Sequence, residues 1–398
     1  MEMLNETQFE LTEETRSLTI KGESRLFPVY RIPVDDIVYN RQNGRIATWV
    51  SEYESDNGQL PDDVKETNAI IEKFIVNSNP ESFNRTKINI DRFGQNNPAV
   101  VLKNGVVVDG NRRFTALRQL SQEKGSKYAY IKAVLLDQND YNSKDIKTLE
   151  LNLQHAVEER VDYNPIDRLV DLYRDLIAEG HDFSVSEYAA ETNESEKKIK
   201  DDMEVAELLV EYLDRIQQPL MFHIARQQKL DGPIREIHRM LKKVSEANMI
   251  DAKEALFMGL QTLDGDVTRK IRDMKTIVQN PTTLTDFSSK AGAIYDGTEK
   301  YLGEEETQKA IRETHTVNIP TDLKNSFTSL VENTIESGKI KSAQKAPIEA
   351  LKKALDRLDD VEINAAKRMN ESDRQSFEQY LDQIEGVVKQ LKVDVNAD

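Results

Sequence analysis

The sequence predicts an α+β domain at the amino end, followed by a mainly α-helical half. Short β-branched runs recur between turn residues up to about residue 140 and then cease. Beyond that point, segments with helical periodicity follow one another toward the carboxyl end. A chain of 398 residues is long enough for two or three domains and at least one full-sized core.

Four β-branched runs predict strands in the first part of the chain. They span residues 27–34, 98–103, 105–110 and 128–136. Asn104 and Gly105 predict a tight hairpin turn between the second and third runs, because both residue types tolerate positive backbone dihedral angles. Helical periodicity over 67–78 and 113–125 interrupts the strands. The mixture indicates a compact α/β or α+β domain.

The second half predicts helices joined by short turns. Helical segments are expected over 143–160, 165–179, 184–191, 195–215, 219–229, 233–245 and 251–279. The polar stretch 278–289 is interpreted as a linker. Two apolar stripes, separated by MNESD at 369–373 with Asn370 or Ser372 as the cap, predict a helical hairpin. Its stripes form either an intramolecular core or a dimerising coil.

These patterns divide the chain into four parts. They are an N-terminal extension (1–24), the α+β domain (25–142), a helical region (143–245) and a helical C-terminal domain (246–398). The apolar runs all fall well short of the ~20 residues of a membrane span. The amino end, MEMLNETQFE, is unlike a targeting peptide. A cytoplasmic protein without a membrane partner is therefore expected.

Composition excludes several kinds of chemistry. The chain has no cysteine, which rules out disulfides, zinc–thiolate sites and thiol nucleophiles. Its five histidines are scattered without metal-ligand spacing. The net charge of −17 argues against a chain that coats nucleic acid indiscriminately, but it leaves room for one basic face.

The stretch VVVDGNRRFTALRQL, at 106–120, predicts an anion-binding turn between a strand and a helix. Gly110 permits a sharp turn and lets a ligand approach the backbone. The first amides of the helix carry positive potential, so Arg112 and Arg113 are unfavourable there unless an anion is bound. Phosphate fits bare amides and bidentate guanidinium groups. The turn is therefore a candidate phosphate site.

The charge around this turn supports the same interpretation. Residues 85–132 hold ten Lys or Arg against three Asp or Glu, a local charge of +7. The alternative is that these cations pair with carboxylates elsewhere in the chain. The spacing matches neither a Walker A loop nor a dinucleotide fingerprint.

Four segments in a fixed order resemble the ParB family. They are IPVDDIVYNRQNGR at 32–45, GNRRFTAL at 110–117, LNLQH at 151–155 and YNPID at 163–167. The resemblance covers roughly residues 25–215. It implies a domain with the fold shared by sulfiredoxin and a group of free-serine kinases, followed by a helix-turn-helix. It also implies a nucleotide ligand, typically CTP with Mg²⁺, that is slowly hydrolysed while a dimer closes on DNA.

The resemblance also implies roles for individual residues. The phosphates would be held by Asp109, Gly110, Asn111, Arg112 and Arg113, together with Arg45, Asn152 and Gln154. Asn40 and Asn43 match polar positions of the first segment. Candidate Mg²⁺ ligands are Glu150 and Asn152, and candidate catalytic residues are Glu150 and His155.

This sequence departs from the family pattern at chemically important positions. Asn111 replaces a glutamate, Leu151 replaces the metal-binding glutamate, and His155 replaces an arginine. An alternative alignment puts Arg160 at the arginine position and gives up Asn152. Loss of the acidic metal ligand is expected to impair hydrolysis more than nucleotide binding, because arginines and amides hold phosphate without a metal ion. Slow NTPase activity is left open, and sulfiredoxin chemistry is excluded because it requires a cysteine.

Residues 183–209 have the shape of a helix-turn-helix. Ser184 or Ser186 caps the first helix, and the turn falls at Thr192-Asn193. Ala189, Ala190, Ile199, Met203 and Val205 are expected to face inward, and Glu194, Ser195, Lys197, Lys198, Asp201 and Asp202 outward. A second basic stripe places Arg235, Arg239 and Lys242 on one side of a helix. The candidate DNA contacts are Lys197, Lys198, Arg235, Arg239 and Lys242; the alternative is an ordinary helical hairpin.

The leading hypothesis is a nucleotide-dependent, DNA-associated homodimer that acts as a switch in DNA segregation, regulation, or a mobile-element or defence function. Its nucleotide would be CTP, or alternatively ATP or ADP. A second hypothesis is a phosphotransferase resembling free-serine kinases, or a nuclease, on the same fold. A third is a partner-binding module with a vestigial pocket.

Overall fold

The computed structural model describes residues 3–156 and 164–396, which fall into two compact units, 1–332 and 333–398. The first unit opens with a six-stranded sheet and continues with helices. Its strands are β1 (Glu10–Ile20), β2 (Glu23–Pro33), β3 (Val38–Tyr39), β4 (Ala99–Leu102), β5 (Val106–Asp109) and β6 (Tyr130–Leu136). The predicted α+β domain with a helical remainder is confirmed.

The sheet has the strand order β1-β2-β6-β4-β5-β3. The pairs β3–β5 and β4–β6 are parallel, and the other pairs are antiparallel. The predicted β4–β5 hairpin is present, with Gly105 at a φ of 91°. Asn104 Oδ1 accepts the Val106 N–H at 3.1 Å, which stabilises the turn locally.

Residues 10–20, assigned from sequence to an N-terminal extension, form β1 and extend the sheet. Leu18 and Ile20 on this strand are buried against the β2–β6 side of the sheet. The rest of β1 is rich in exposed glutamates, which protect an edge strand from pairing with other chains. Because most positions of this strand are polar or charged, the sequence shows no apolar alternation from which the strand could be predicted.

Four helices follow β3 or flank the β4–β5 hairpin: α1 (Ala47–Asn57), α2 (Val64–Ser78), α3 (Pro80–Phe93) and α4 (Asn111–Lys124). The helices over 67–78 and 113–125 were predicted, whereas α1 and α3 were not. Ile71, Phe83 and Phe114 from three of these helices are buried in one core with the sheet. Asn79 begins α3 by accepting the Ser82 N–H at 3.0 Å, next to Pro80 at the first helical position.

The helical remainder of the first unit starts on the other face of the sheet, where Leu149 joins its core. Its helices are α5 (Ser143–Ala156), α6 (Pro165–Leu176), α7 (Val185–Thr192), α8 (Glu196–Arg215), α9 (Phe222–Gln227), α10 (Asp231–Leu241), α11 (Met249–Thr262), α12 (Val267–Asp273), α13 (Lys275–Val278), α14 (Pro281–Leu302) and α15 (Glu305–Thr314). No helix in the described ranges is both long enough and apolar enough to cross a membrane.

Two expectations about this region were wrong. The segment 251–279 is not one helix, because the chain leaves the helical conformation after α11 and Gly265 adopts a φ of 79°. The stretch 278–289 is not a linker, because α14 begins within it. Asn280 accepts the Thr283 N–H at 3.0 Å, with Pro281 at the first helical position. An Asn-Pro pair suits a turn and a helix start equally well.

The α7–α8 pair has the predicted helix limits. Ser184 and Glu187 form a capping box, and Asn193 ends α7 with a φ of 51°. Three side chains differ from expectation: Ala190 is exposed, whereas Asp202 and the carboxylate of Glu194 are buried. Asp202 is buried because Arg168 and Arg235 both form ion pairs with its carboxylate.

The second unit contains the end of α16 (Thr321–Asp359), α17 (Ile363–Ala366) and α18 (Glu371–Asn396). Asn370, one of the two predicted caps, accepts the Asp373 N–H at 2.9 Å. None of the described side chains from 333 onward is buried. The apolar stripes therefore do not form a closed core within this unit.

Asp167, at the start of α6, links that helix to α1 and gives a testable pH dependence. Its Oδ1 accepts the Thr48 N–H at 3.1 Å, and Thr48 Oγ1 accepts a hydrogen bond from Arg226. Burial raises the pKa of Asp167 to about 6. The stability contributed by its protonated form is complete below the unfolded pKa near 4 and is lost as the pH rises through 6.

Asp167→Asn keeps the acceptor and removes the ionisation. The variant should match the wild type near pH 4 and exceed its free energy of unfolding by about 2 kcal/mol at pH 7.5. Urea unfolding of both proteins across this pH range measures the difference. The contributions of the other buried carboxylates cancel, because both proteins contain them. A difference that does not change with pH would contradict the prediction.

Candidate functional site

The turn from β5 into α4 is built around Gly110. This residue adopts a φ of 106° and begins α4 without a side-chain cap. A Cβ at Gly110 would lie 2.9 Å from the Ala99 Cβ and 3.1 Å from an Arg113 guanidinium nitrogen. Only glycine fits this backbone and this space. The first turn of α4 consequently presents amides that no capping side chain covers.

Asp109, just before the turn, holds two guanidinium groups. Arg113 and Arg16 each place a nitrogen 2.9 Å from its Oδ2. Arg16 also donates to the Pro98 carbonyl at 2.5 Å, which fixes the guanidinium group. Two cations sharing one carboxylate leave one positive charge beside the helix end. Asp109, predicted as a phosphate ligand, contacts cations and is repelled by phosphate, so its role here is to position Arg16 and Arg113.

Arg112 turns in another direction and joins α4 to α3. Its guanidinium group donates to Ser82 Oγ at 2.7 Å, in the first turn of α3. At the opposite end of the two helices, Lys124 lies 2.6 Å from Asp91. The helices therefore run side by side with their amino ends together, so both dipoles place positive potential at Arg112. Consecutive helix positions point about 100° apart, which separates Arg112 from Arg113.

Asn111 contributes a buried polar group at the same turn. Its side chain is 7% exposed, and within the described residues its Oδ1 lacks a hydrogen-bond donor. An unsatisfied buried acceptor costs roughly 1–3 kcal/mol. A ligand hydroxyl, amine or ordered water at the helix end would remove that cost.

A cavity of about 290 Å³ lies beside edge strand β3. Because β3 and β5 are parallel, the segment after β3 and the Gly110 turn leave the sheet at the same edge. Tyr39 and Thr115 share a hydrogen bond of 2.7 Å, which ties β3 to the first turns of α4. The lining residues are Val38, Tyr39, Asn40, Arg41, Gln42, Val64, Thr67, Asn68 and Val106.

The predicted polar residues after β3 have different roles. Asn40 lines the cavity, whereas Asn43 is buried and accepts the Arg45 N–H at 2.9 Å. Burial raises the pKa of the Glu150 and Asp171 carboxyls, and the nearby Arg45 guanidinium group offsets part of that rise. The structure therefore groups Arg45 with these acids.

Glu150 lies in a buried charged cluster between α5 and α6. It is 4% exposed, and its Oε2 lies 4.0 Å from Lys147 Nζ. The same ammonium group lies 3.5 Å from Asp175 Oδ2. Burial raises the pKa of Glu150 to about 7, partly offset by Lys147. The Glu150 carboxyl therefore already has the Lys147 ammonium group as its charged neighbour.

The expected Mg²⁺ pair does not fit the helix geometry. Glu150 and Asn152 are two positions apart on α5, and such side chains point to opposite sides of a helix. Leu151, at the position of the family's metal-binding glutamate, is buried against α6 and α7. Gln154 and His155 lie outside the described side chains, and Arg160 lies outside the described residues.

Acids from other parts of the chain neutralise part of the basic segment 85–132. The contacts are Lys87–Glu123, Lys103–Glu6 and Asp137, Arg113–Asp109, Arg118–Glu72, Lys124–Asp91 and Lys132–Glu14. Arg85 and Arg92 are exposed on α3. Glu6, Glu14, Glu72 and Asp137 come from outside the segment and lower its net charge from +7 to +3.

The candidate DNA contacts on α8 and α10 are also mostly paired with acids. The contacts are Lys198–Glu194 at 2.6 Å, Arg239–Glu236 at 2.6 Å, Arg235–Asp231 at 2.8 Å, Arg235–Asp202 at 2.5 Å, and Lys242 with Asp201 and Glu204. Lys197 is exposed. Asp201, Glu204 and His238 place ligand atoms within 4.8 Å of one another, and the Lys242 ammonium group pairs with both carboxylates.

Several residues of the site were missed from sequence. Arg16 lies in a strand that was read as an extension, and its partner Asp109 is 93 residues away. Ser82 begins a helix that was not predicted, although Asn79-Pro80 is a recognisable helix start. Arg41 and Gln42 belong to the segment 32–45, but only the cavity beside them indicates that they are part of the site.

Among solved structures, a Pnob8-like ParB-N domain is similar to this chain. The likeness covers 66% of this chain and 99% of that chain, with 12% identical residues and a TM-score of 0.30. No protein-family model matches the sequence, and no curated protein matches it. A likeness at this TM-score carries no argument about function, which is therefore inferred from the geometry of the site.

Proposed function

We propose that the chain binds a nucleoside triphosphate at the amino end of α4. CTP is the first candidate and ATP the second, with the diphosphate ADP as a further candidate. The main support is the junction at which the amino ends of α3 and α4 meet beside Arg112. Arg16 and Arg113, sharing Asp109, add a further positive charge. Helix amino ends with guanidinium groups form a site for a polyanionic phosphate chain.

The cavity beside β3 is the proposed place for the base. Its volume of about 290 Å³ is at the lower limit of ordinary ligand pockets. Asn40 and Gln42 offer amide groups there that can pair with the edge of a base, whereas the amide of Asn68 is held by the backbone of Ile37 and Tyr39. Mg²⁺ is proposed only as the ion that accompanies the triphosphate, because Glu150 and Asn152 point apart. Hydrolysis is not part of the proposal.

Thermal unfolding with added ligands tests this function. A nucleotide at one hundred times its dissociation constant should stabilise the chain by about 2.7 kcal/mol. CTP, ATP, GTP, ADP and inorganic tripolyphosphate, each with Mg²⁺, separate recognition of the base from recognition of the phosphates. Equal shifts by all five ligands would assign the site to phosphate alone. No shift with any of the five ligands would contradict the proposal.

We further propose that DNA binds the face formed by α8 and α10. Lys197, Lys198, Arg239 and Lys242 are exposed on these helices. Because acids hold three of these cations, DNA phosphates must displace carboxylates. Binding should therefore be weak and should fall steeply with salt. The biological role as a switch and the homodimeric state are parts of the same proposal.

Fluorescence anisotropy with a labelled duplex at 50 and 200 mM salt tests the DNA contact, with and without CTP. Lys197→Ala with Lys242→Ala should weaken binding and lower the salt slope by about 2. Lys290→Ala with Lys309→Ala, on α14 and α15, is a control with the same change in charge. Absence of binding at 50 mM salt would overturn the DNA contact and leave the nucleotide site untouched.

A further inference from the structure

Two helices of the first unit bring three metal-ligating side chains together at the surface. Asp201 and Glu204 lie three positions apart on α8 and therefore share one face of that helix. His238 projects from α10, which packs against α8. One ligand atom from each of these residues lies within 4.8 Å of the other two. Sequence spacing could not predict this group, because Glu204 and His238 are 34 residues apart.

The imidazole of His238 distinguishes this group from an ordinary cluster of surface acids. The His238 side chain is 12% exposed, whereas those of Asp201 and Glu204 are 41% and 54% exposed. Its Nε2 lies 2.7 Å from Glu204 Oε2, so this nitrogen is directed at the carboxylates. An imidazole with two carboxylates is a ligand set for transition ions such as zinc, whereas magnesium and calcium prefer oxygen ligands alone.

The ammonium group of Lys242 shows that a cation fits between the two carboxylates. It forms an ion pair with Asp201 and lies 3.5 Å from Glu204 Oε2. Lys242 follows the last residue of α10, and its flexible side chain is 43% exposed, so it can turn into solvent. Two carboxylates with one ammonium group carry a net charge of −1, whereas two carboxylates with a divalent ion carry none. A divalent ion therefore balances the carboxylates better than the lysine does.

We propose that Asp201, Glu204 and His238 bind a divalent transition ion of the zinc class. Each residue supplies one ligand atom, and water completes the coordination on the exposed side. The ion displaces the ammonium group of Lys242 and cross-links α8 to α10. The site lies apart from the turn between β5 and α4, and its test contains neither nucleotide nor DNA. The proposal is therefore independent of the proposed function.

Equilibrium dialysis of the full, untagged chain against Zn²⁺, with Mg²⁺ in excess, tests this site. The wild type should bind one Zn²⁺ per chain with a dissociation constant in the micromolar range or tighter. His238→Gln removes the nitrogen ligand but keeps an amide that can donate to Glu204. This variant should bind Zn²⁺ at least about tenfold more weakly, since loss of an outer-shell partner alone costs about ten- to a hundredfold. Asp201→Asn should have an effect of similar size.

Lys242→Met tests whether the ammonium group holds the position of the ion. This variant should bind Zn²⁺ roughly fivefold more tightly, because an ammonium group on two partly exposed carboxylates competes about that strongly. The matched control is Lys253→Met. Lys253 lies 2.5 Å from Glu211 and joins α11 to α8 by an ion pair. The control removes the same charge and should leave the affinity within about twofold of the wild type.

Four results would overturn the metal site. The first is a wild type that binds no Zn²⁺ in the micromolar range, and the second is Zn²⁺ that excess Mg²⁺ displaces. The third is wild-type affinity in both His238→Gln and Asp201→Asn, which would place the ion elsewhere. The fourth is an affinity of Lys242→Met that does not exceed that of Lys253→Met, because the ammonium group would then not occupy the position of the ion.

Discussion

Alanine at both Arg112 and Arg113 is expected to lower the affinity for nucleoside triphosphate at least a hundredfold. A hydrogen bond to a charged group contributes about 1.5–3 kcal/mol. Loss of one such bond from each guanidinium group therefore removes about 3 kcal/mol or more, which is a factor of roughly 100 or more in the dissociation constant. Isothermal titration of CTP·Mg²⁺ into both proteins at one salt concentration measures the change.

The matched control is Arg85→Ala with Arg92→Ala. These exposed arginines lie on α3, so the control removes the same charge from the neighbouring helix without touching the turn. Its affinity should stay within about threefold of the wild type, since exposed charges act weakly at ordinary salt. Equal losses in the two double variants would mean that net charge, not this turn, holds the nucleotide. An unchanged affinity in the Arg112 and Arg113 variant would show that the nucleotide does not bind at this turn.

Gly110→Ala is expected to reduce the free energy of unfolding by about 3 kcal/mol. A residue with a Cβ pays about 1–2 kcal/mol in the left-handed region. The new Cβ would also lie 2.9 Å from the Ala99 Cβ, on a buried strand that has little room to move. Overpacking of this kind costs about 1–3 kcal/mol. Urea unfolding measures the loss, and nucleotide binding should weaken because the first turn of α4 must shift.

Gly94→Ala separates the two contributions. Gly94 ends α3 with a φ of 76°, and a Cβ there would meet nothing within 4 Å. This variant should lose a backbone contribution only, about 1–3 kcal/mol, because a φ of 76° with a ψ of −174° is strained for any residue with a Cβ. A Gly110→Ala variant that loses no more than the left-handed backbone penalty of about 1–2 kcal/mol would contradict the packing argument for Gly110.

The predictions that held concern features formed by residues close together in the chain. The hairpin at Asn104-Gly105 and the helix starts at Ser184 and Asn370 are turns and caps completed within three residues. The wrong linker at 278–289 shows the limit of this reasoning. Asn280-Pro281 favours a turn and a helix start alike, and burial of Leu284 and Phe287 decides for the helix.

The candidate site was only partly predictable for a different reason. The bend at Gly110 and the positive end of α4 follow from local backbone physics. The partners of the arginines do not, because Arg16 reaches Asp109 from a strand 93 residues away and Arg112 meets Ser82 from 30 residues away. Within the chain the two adjacent arginines have different partners, Ser82 for Arg112 and Asp109 for Arg113, because consecutive helix positions point in different directions.

The amino-acid sequence by itself determined the absence of thiol chemistry, the order of strands before helices, and the sharp glycine turn with its cationic helix end. Tertiary structure alone decided that β1 belongs to the sheet, that distant acids neutralise part of the basic segment, and that Glu150 is buried in a charged cluster with Asp175. Turns and caps depend on neighbours in the chain, whereas charge pairing and burial depend on which distant residues the fold brings within a few ångströms.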